Sequence, residues 1–206
     1  PTRRSSDLVR ARRNANLKRD FPAEELFPVK FMPEDKARRT ILVPNLSRGF
    51  SFLGAAYFRS IGYKAECLPL ADKYAIELGK KFVHNDICFP AQVNIGENLA
   101  WLDRHPEVKQ SDITVGLAKN CENCRAVQYA VLARKALDEA GYKDVPIITT
   151  GSDTKDMHPG FKLDLWFRLH MLWGIATMDC IETIYRASRP YEVHKGDTQK
   201  VYDHWL

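Results

Sequence analysis

No stretch of this sequence stays apolar long enough to cross a bilayer as a helix. The most apolar run, Met171 to Met178, is eight residues long, with Arg168 and His170 before it and Asp179 after it. A membrane-spanning helix needs roughly 20 such residues. No secretory leader is expected either, since Pro1-Thr2-Arg3-Arg4 runs into no apolar core segment. The five cysteines, at 67, 88, 121, 124 and 180, are odd in number and scattered, which argues against a disulfide framework and for a reducing, cytoplasmic setting. None of the 11 glycines builds a phosphate-cradling loop, so the chain brings no nucleotide-binding motif of its own.

What is present is ordinary globular material: 206 residues, 45% hydrophobic and 28% charged. A domain of this size buries enough surface to fold without staples. The net charge of +5 is unevenly placed. Residues 1–19 hold seven Arg and Lys against Asp7 alone, or +6, which leaves −1 on the other 187 residues. The basic excess therefore belongs to a tail and not to a folded face. It reads as a solvated lead-in, with neither specific nucleic-acid binding nor a membrane partner expected. The absence of an initial Met and the amphipathic ending Val201 to Leu206 read as a fragment of a longer chain.

Residues 20–38, with three prolines and many charges, read as a linker. An α/β domain is expected over 39–160 and a helical extension over 161–206. Short apolar runs predict strands at 40–44, 63–69, 112–118 and 145–150. Between and after them, helices are expected at 51–61, 71–82, 89–102, 124–140, 163–186 and 197–206. Phe52, Ala56 and Ile61 are expected to face inward on the first of these. Gly62 and Gly141 each end a helix and lead through Tyr-Lys into a strand; this echo reads as a shared connection type and not as a repeat. Alternating strands and helices predict a doubly wound, mostly parallel sheet with extra C-terminal helices. Ligands gather outside the carboxyl ends of such strands, where loops 45–50, 119–124 and 151–160 are expected.

The segment Lys119-Asn-Cys-Glu-Asn-Cys-Arg125 therefore falls where chemistry is expected. Cys124 is read at the first turn of its helix, where free N–H groups favour a thiolate. Cys88 also precedes a helix, with Pro90 just inside it. Cys67, in an apolar strand, and Cys180, in an apolar helix, are expected to be small buried hydrophobes. Two readings stay open on residues alone. Cys88, Cys121, Cys124 and His84 could form a zinc site, although a helix and a strand intervene between Cys88 and Cys121. Cys121 and Cys124 could form a redox dithiol, which leaves Cys88 without a role.

Six motifs occur together: N-D-I-C-F-P (85–90), N-I-G-E-N-L (94–99), C-R-A-V-Q-Y (124–129), A-G-Y-K-D-V-P-I-I (140–148), H-P-G-F-K (158–162) and R-P-Y-E-V-H-K-G (189–196). From about residue 38 onward the chain resembles 2-hydroxyacyl-CoA dehydratase subunits and the large multidomain CoA-substrate-specific activase-related proteins of anaerobes. The motifs at 94–99, 158–162 and 189–196 favour the activase-related proteins. The resemblance implies a Rossmann-like or flavodoxin-like domain able to hold a [4Fe–4S] or related cluster. Its partner would be an ATP-dependent activase domain, or a dehydratase-like acceptor. Cys88 matches the family cysteine before Phe/Tyr-Pro, and Cys124 the cysteine before Arg. Cys121 stands where relatives often carry glycine, as an additional ligand or a replacement for one. The family's third cysteine ligand lies further along than Leu206, so a complete cluster is expected only in a longer chain, and the fragment alone is not expected to be catalytic. A docking module without a cluster and a structural zinc site are the alternatives.

Overall fold

A computed structural model describes residues 27–117, 125–151 and 157–206. Its elements run α1 (Asp35–Arg38), β1 (Thr40–Val43), α2 (Arg48–Ser60), β2 (Lys64–Cys67), α3 (Lys73–Phe82), α4 (Phe89–Arg104), β3 (Ile113–Leu117), α5 (Tyr129–Glu139), β4 (Ile147–Thr149), α6 (Leu165–Ser188) and α7 (Asp197–Trp205). The four strands form one parallel sheet in the order β2-β1-β3-β4. This is the expected doubly wound arrangement, and its direction reverses between β1 and β3.

Alternation along the strands sorts side chains to two faces. Leu42, Ile113, Val115, Leu117 and Ile147 join Ile95 and Leu99 of α4 and Ala133 and Leu137 of α5 in one core. Ile41, Ala65 and Ile148 join Ala55 and Phe58 of α2, with Phe31, Phe161 and Phe167, in the other. The second core is rich in rings. Phe58 stacks on Phe167 at 5.6 Å, and Phe31, Tyr63 and Phe161 meet at 5.7–6.4 Å.

The two Gly-Tyr-Lys connections share one geometry. Gly62 and Gly141 adopt φ of 89° and 91°, and the following Tyr63 and Tyr142 donate back to Phe58 and Leu137 carbonyls at 3.0 and 2.7 Å. Both are glycine-closed helix ends of the Schellman type, which accounts for the echo without a repeat.

Four expectations are corrected. The linker reading of 20–38 fails from Phe27 onward: Phe27 and Phe31 are buried, and Asp35 in α1 is buried as well. The distant rings that bury this segment lie beyond the reach of a local pattern. On α2 the buried residues are Gly49, Ser51, Gly54, Ala55 and Phe58, while Ala56 is exposed. Four of these five are small, and Gly49 faces Met178 and Tyr202 of the C-terminal helices. Cys180 is exposed and Cys67 only half-buried, because α6 packs on one side alone and Cys67 ends its strand. Finally, the helix expected from Cys124 starts at Tyr129, after a 3-10 turn over Arg125–Gln128.

His158, beyond β4, fastens the 27–31 segment. Its Nδ1 accepts the Phe31 N–H at 3.1 Å, and its ring meets Phe27 edge-on at 5.9 Å. Burial lowers its pKa, opposed by the Ile147 carbonyl, so the ring is held neutral.

Candidate site at the carboxyl edge of the sheet

Helix α4 is buried from Ala91 to Leu102 except at Val93. A helix covered on nearly every side should be uniformly apolar, yet this one buries Gln92, Asn94, Glu97 and Asn98. Two of these bond back within the helix: Asn94 Nδ2 donates to the Pro90 carbonyl and Asn98 Nδ2 to the Asn94 carbonyl. Glu97 reaches outward. Its Oε2 accepts the Asn45 N–H at 2.9 Å, and the Ala71 N–H also bonds to its carboxylate.

Asn45 follows β1 and Ala71 follows β2, so one carboxylate ties two loops at the carboxyl edge. Asn45 Nδ2 adds a bond to the Leu68 carbonyl at 3.0 Å, and Ser51 Oγ donates to the Pro44 carbonyl at 2.9 Å. Burial raises the Glu97 pKa, while the Asn45 and Ala71 N–H groups oppose the rise. This carboxylate organises the loops that frame the site.

The path of α4 locates Cys88. Glu97 meets the carboxyl end of β1, whereas Trp101 shares a groove with Thr40 and Ile113 at the amino ends of β1 and β3. The helix thus descends along the sheet, and Cys88, nine residues before Glu97, stands about 13 Å further up. It is the N-cap residue of α4, with a proline in the first turn. Its partner is Tyr129, the first residue of α5: Cys88 Sγ and Tyr129 Oη are 3.0 Å apart. Tyr129 is buried and Cys88 half-buried. The hairpin tip carrying Cys88 thereby meets the segment that leaves β3, beyond the reversal point where doubly wound sheets hold ligands.

Of the expected ligands, Cys121 and Cys124 lie outside the described residues. Tyr129 follows Cys124 by five positions. His84 is exposed at the hairpin tip, where its Nδ1 accepts the Asp86 N–H at 3.2 Å. Among the described residues no group of three His, Cys, Asp or Glu side chains is arranged to hold a metal ion; Cys88 is the expected ligand that the described part supplies. Asn45, Glu97 and Tyr129 were not singled out by the sequence reading. The signal for Glu97 was an acidic residue in the middle of an apolar helix.

Cys67 has a different character. Burial, then the charge of Glu97, pushes its thiol up to about 11, with Arg59 and Arg48 opposing. Its Sγ donates to the Leu68 carbonyl at 3.5 Å. At neutral pH this leaves about a hundredfold less thiolate than an ordinary cysteine carries. Alkylation of Cys67 by iodoacetamide at pH 7.5, followed by peptide mass mapping, should run at least ten times slower in the folded chain than in the urea-unfolded chain (roughly, from thiolate fraction and burial). Equal rates would contradict this assignment of Cys67.

Comparison of the chain with protein-family models, with curated proteins and with solved structures finds no match.

Proposed function

We propose that this chain is a thiolate-ligated iron–sulfur domain that passes electrons within a reductive activation system. Cys88 and Cys124 serve as ligands, with Cys121 as an additional ligand or a replacement for one. The observation that carries the reading is the 3.0 Å contact of Cys88 Sγ with Tyr129 Oη above the carboxyl edge of the sheet. The donor chemistry fits: thiolates are the ligands iron–sulfur clusters select, and a hydroxyl hydrogen-bonded to a ligating sulfur tunes its basicity. When bound, the cluster supplies one-electron transfer at low potential. The protein's part is to orient Cys88 through the α4 cap, to donate a hydrogen bond from Tyr129, and to hold the surrounding loops through Glu97 and Asn45. An ATP-dependent activase domain would deliver the electron and a dehydratase-like protein accept it, in a reducing cytoplasm.

Iron and acid-labile sulfide analysis after anaerobic reconstitution tests this. A chain extended beyond Leu206 should turn brown and absorb near 400 nm (roughly, as for thiolate-bound clusters), whereas the aerobically purified 206-residue chain should be colourless. Cys88→Ala or Cys124→Ala should remove the iron, while Cys67→Ala and Cys180→Ala should retain it. If the extended chain binds no iron, or if Cys124→Ala binds as much as the parent, a docking module without a cluster takes the place of this reading. Stoichiometric zinc instead of iron would also overturn it.

A further inference from the structure

Helix α6 packs on the body of the protein through one side. Phe167 lies against Tyr57 and Phe58 at 5.1 and 5.6 Å, Gly174 fits against Leu53, Met178 lies over Gly49, and Tyr185 meets Tyr202 of α7 at 4.8 Å. The opposite side is also apolar, and it is bare. Leu165, Trp166, Leu172, Trp173 and Ile184 are 64–70% exposed, and Leu169 is 38% exposed. At about 100° per residue these side chains share one face with Ala176, Cys180 and Thr183. The helix's charges (Arg168, Asp179, Glu182 and Arg186) fall together on one flank. No charge interrupts the face over more than five turns.

Its size separates it from ordinary surface. The exposed area of these residues is on the order of 800 Å², above the roughly 300–600 Å² of the largest apolar patch on a typical monomer. It matches the roughly 800 Å² that each partner contributes to a standard stable interface.

Its pattern selects the occupant. Alternating steps of three and four place Trp166, Leu169, Trp173, Ala176, Cys180 and Thr183 on one seam. The first three are large and the last three are small. Reversing the helix about the point midway between Trp173 and Ala176 sets Trp166 on Thr183, Leu169 on Cys180 and Trp173 on Ala176. Every large residue then meets a small one. This is what a two-fold interface demands, since the same surface must complement itself when turned around. A parallel pairing would set Trp on Trp and leave voids beside Ala176 and Cys180.

We infer that α6 is the interface of a two-fold dimer of this chain, in which the exposed faces of two α6 helices pack antiparallel about the Trp173–Ala176 midpoint. This inference is independent of the cysteine site, which lies on other elements, and holds whether or not iron binds there.

Sedimentation of the 206-residue chain at 1–50 µM tests the pairing, and cross-linking tests the register. The parent should run as a dimer of 23.6 kDa subunits. Trp173→Glu, on an exposed side chain, should weaken association at least a hundredfold with an unchanged circular dichroism spectrum. Leu169→Cys should form a covalent dimer with Cys180 of the second copy on mild oxidation. The two positions are about 16 Å apart along one helix, too far to bridge within a chain. Adding Cys180→Ser should abolish that cross-link. A monomer throughout this range overturns the inference, whether it stays free or partitions onto phosphatidylcholine vesicles. So does a dimer that survives Trp173→Glu, or one in which Leu169→Cys cross-links equally well without Cys180.

Discussion

Replacing Gly96 by alanine should lower the unfolding midpoint by roughly 5–10 °C, from about 2–3 kcal/mol of overpacking at the few degrees per kcal/mol of a domain this size. The direction is the informative part, because Gly→Ala inside a helix ordinarily stabilises by up to about 1 kcal/mol. Here α3 and α4 cross backbone to backbone. A Cβ on Gly96 would lie 2.0 Å from the Ala75 carbonyl oxygen, and one on Gly79 would lie 1.9 Å from the Gln92 carbonyl oxygen. Neither neighbour is a side chain that can swing aside, so the helices must separate. Gly54 is the control: it sits in α2, and a Cβ there meets nothing within 4 Å. Gly54→Ala should raise the midpoint or leave it in place. Thermal melts of the two variants decide the matter, and a Gly96→Ala protein as stable as its parent would show that the close crossing is not as described.

Asp35→Ala should cost about 3–5 kcal/mol, the loss expected when one partner of a buried ion pair is removed. Asp35 accepts the Met32 N–H at 2.9 Å and pairs with Arg39 at 3.0 Å and Arg38 at 2.5 Å. Asp35 and Arg39 are both buried. Arg39 also donates to the Gln110 and Ile113 carbonyls at 3.0 and 2.9 Å, so a lost carboxylate strands a buried cation among neutral acceptors. Burial raises the Asp35 pKa, but the bonds from Met32, Arg38 and Arg39 outweigh it and the net shift is downward. With a lowered folded pKa, the stabilisation is fully present above the ordinary carboxylate range. It is lost as pH falls through the folded value. Urea titrations between pH 7 and pH 3 should therefore show the gap between parent and Asp35→Ala narrowing with acid. A gap that widens with acid would contradict the pairing.

Both effects rest on features that a local pattern shows poorly, and they mark how far the sequence was legible. Strand and helix positions were readable because Gly62 and Gly141 punctuate the chain and the strands are short apolar runs. Doubly wound topology followed from their alternation. The 27–38 segment was not readable as structure: prolines and charges dominate it locally, and Phe31 is buried only because Tyr63 and Phe161 come from far along the chain. Glu97 was hidden for the same reason. An acid in a helix reads as solvent-facing until the Asn45 N–H, 52 residues earlier, is seen to meet it. The place of Cys88 at the start of α4 was legible from Phe89-Pro90, whereas its contact with Tyr129 depends on two elements meeting in space. The outward aspect of Cys180 escaped notice because an apolar helix reads as buried whether or not anything covers both of its sides.

The strand order also governs how the protein assembles. The β1–β2 and β3–β4 pairings join residues about 24 and 32 positions apart, but the central β1–β3 pairing joins residues about 73 apart. Each outer pair closes a modest loop and can form early, while the seam between them closes a long one and sets the pace of folding. The sheet is thus two locally built halves sewn together late, along the line where its winding reverses. A molecule gripped from both sides of that seam binds only the joined form. At a hundred times its dissociation constant it would add about 2.7 kcal/mol to cohesion, so occupancy of the carboxyl edge and completion of the sheet are linked equilibria.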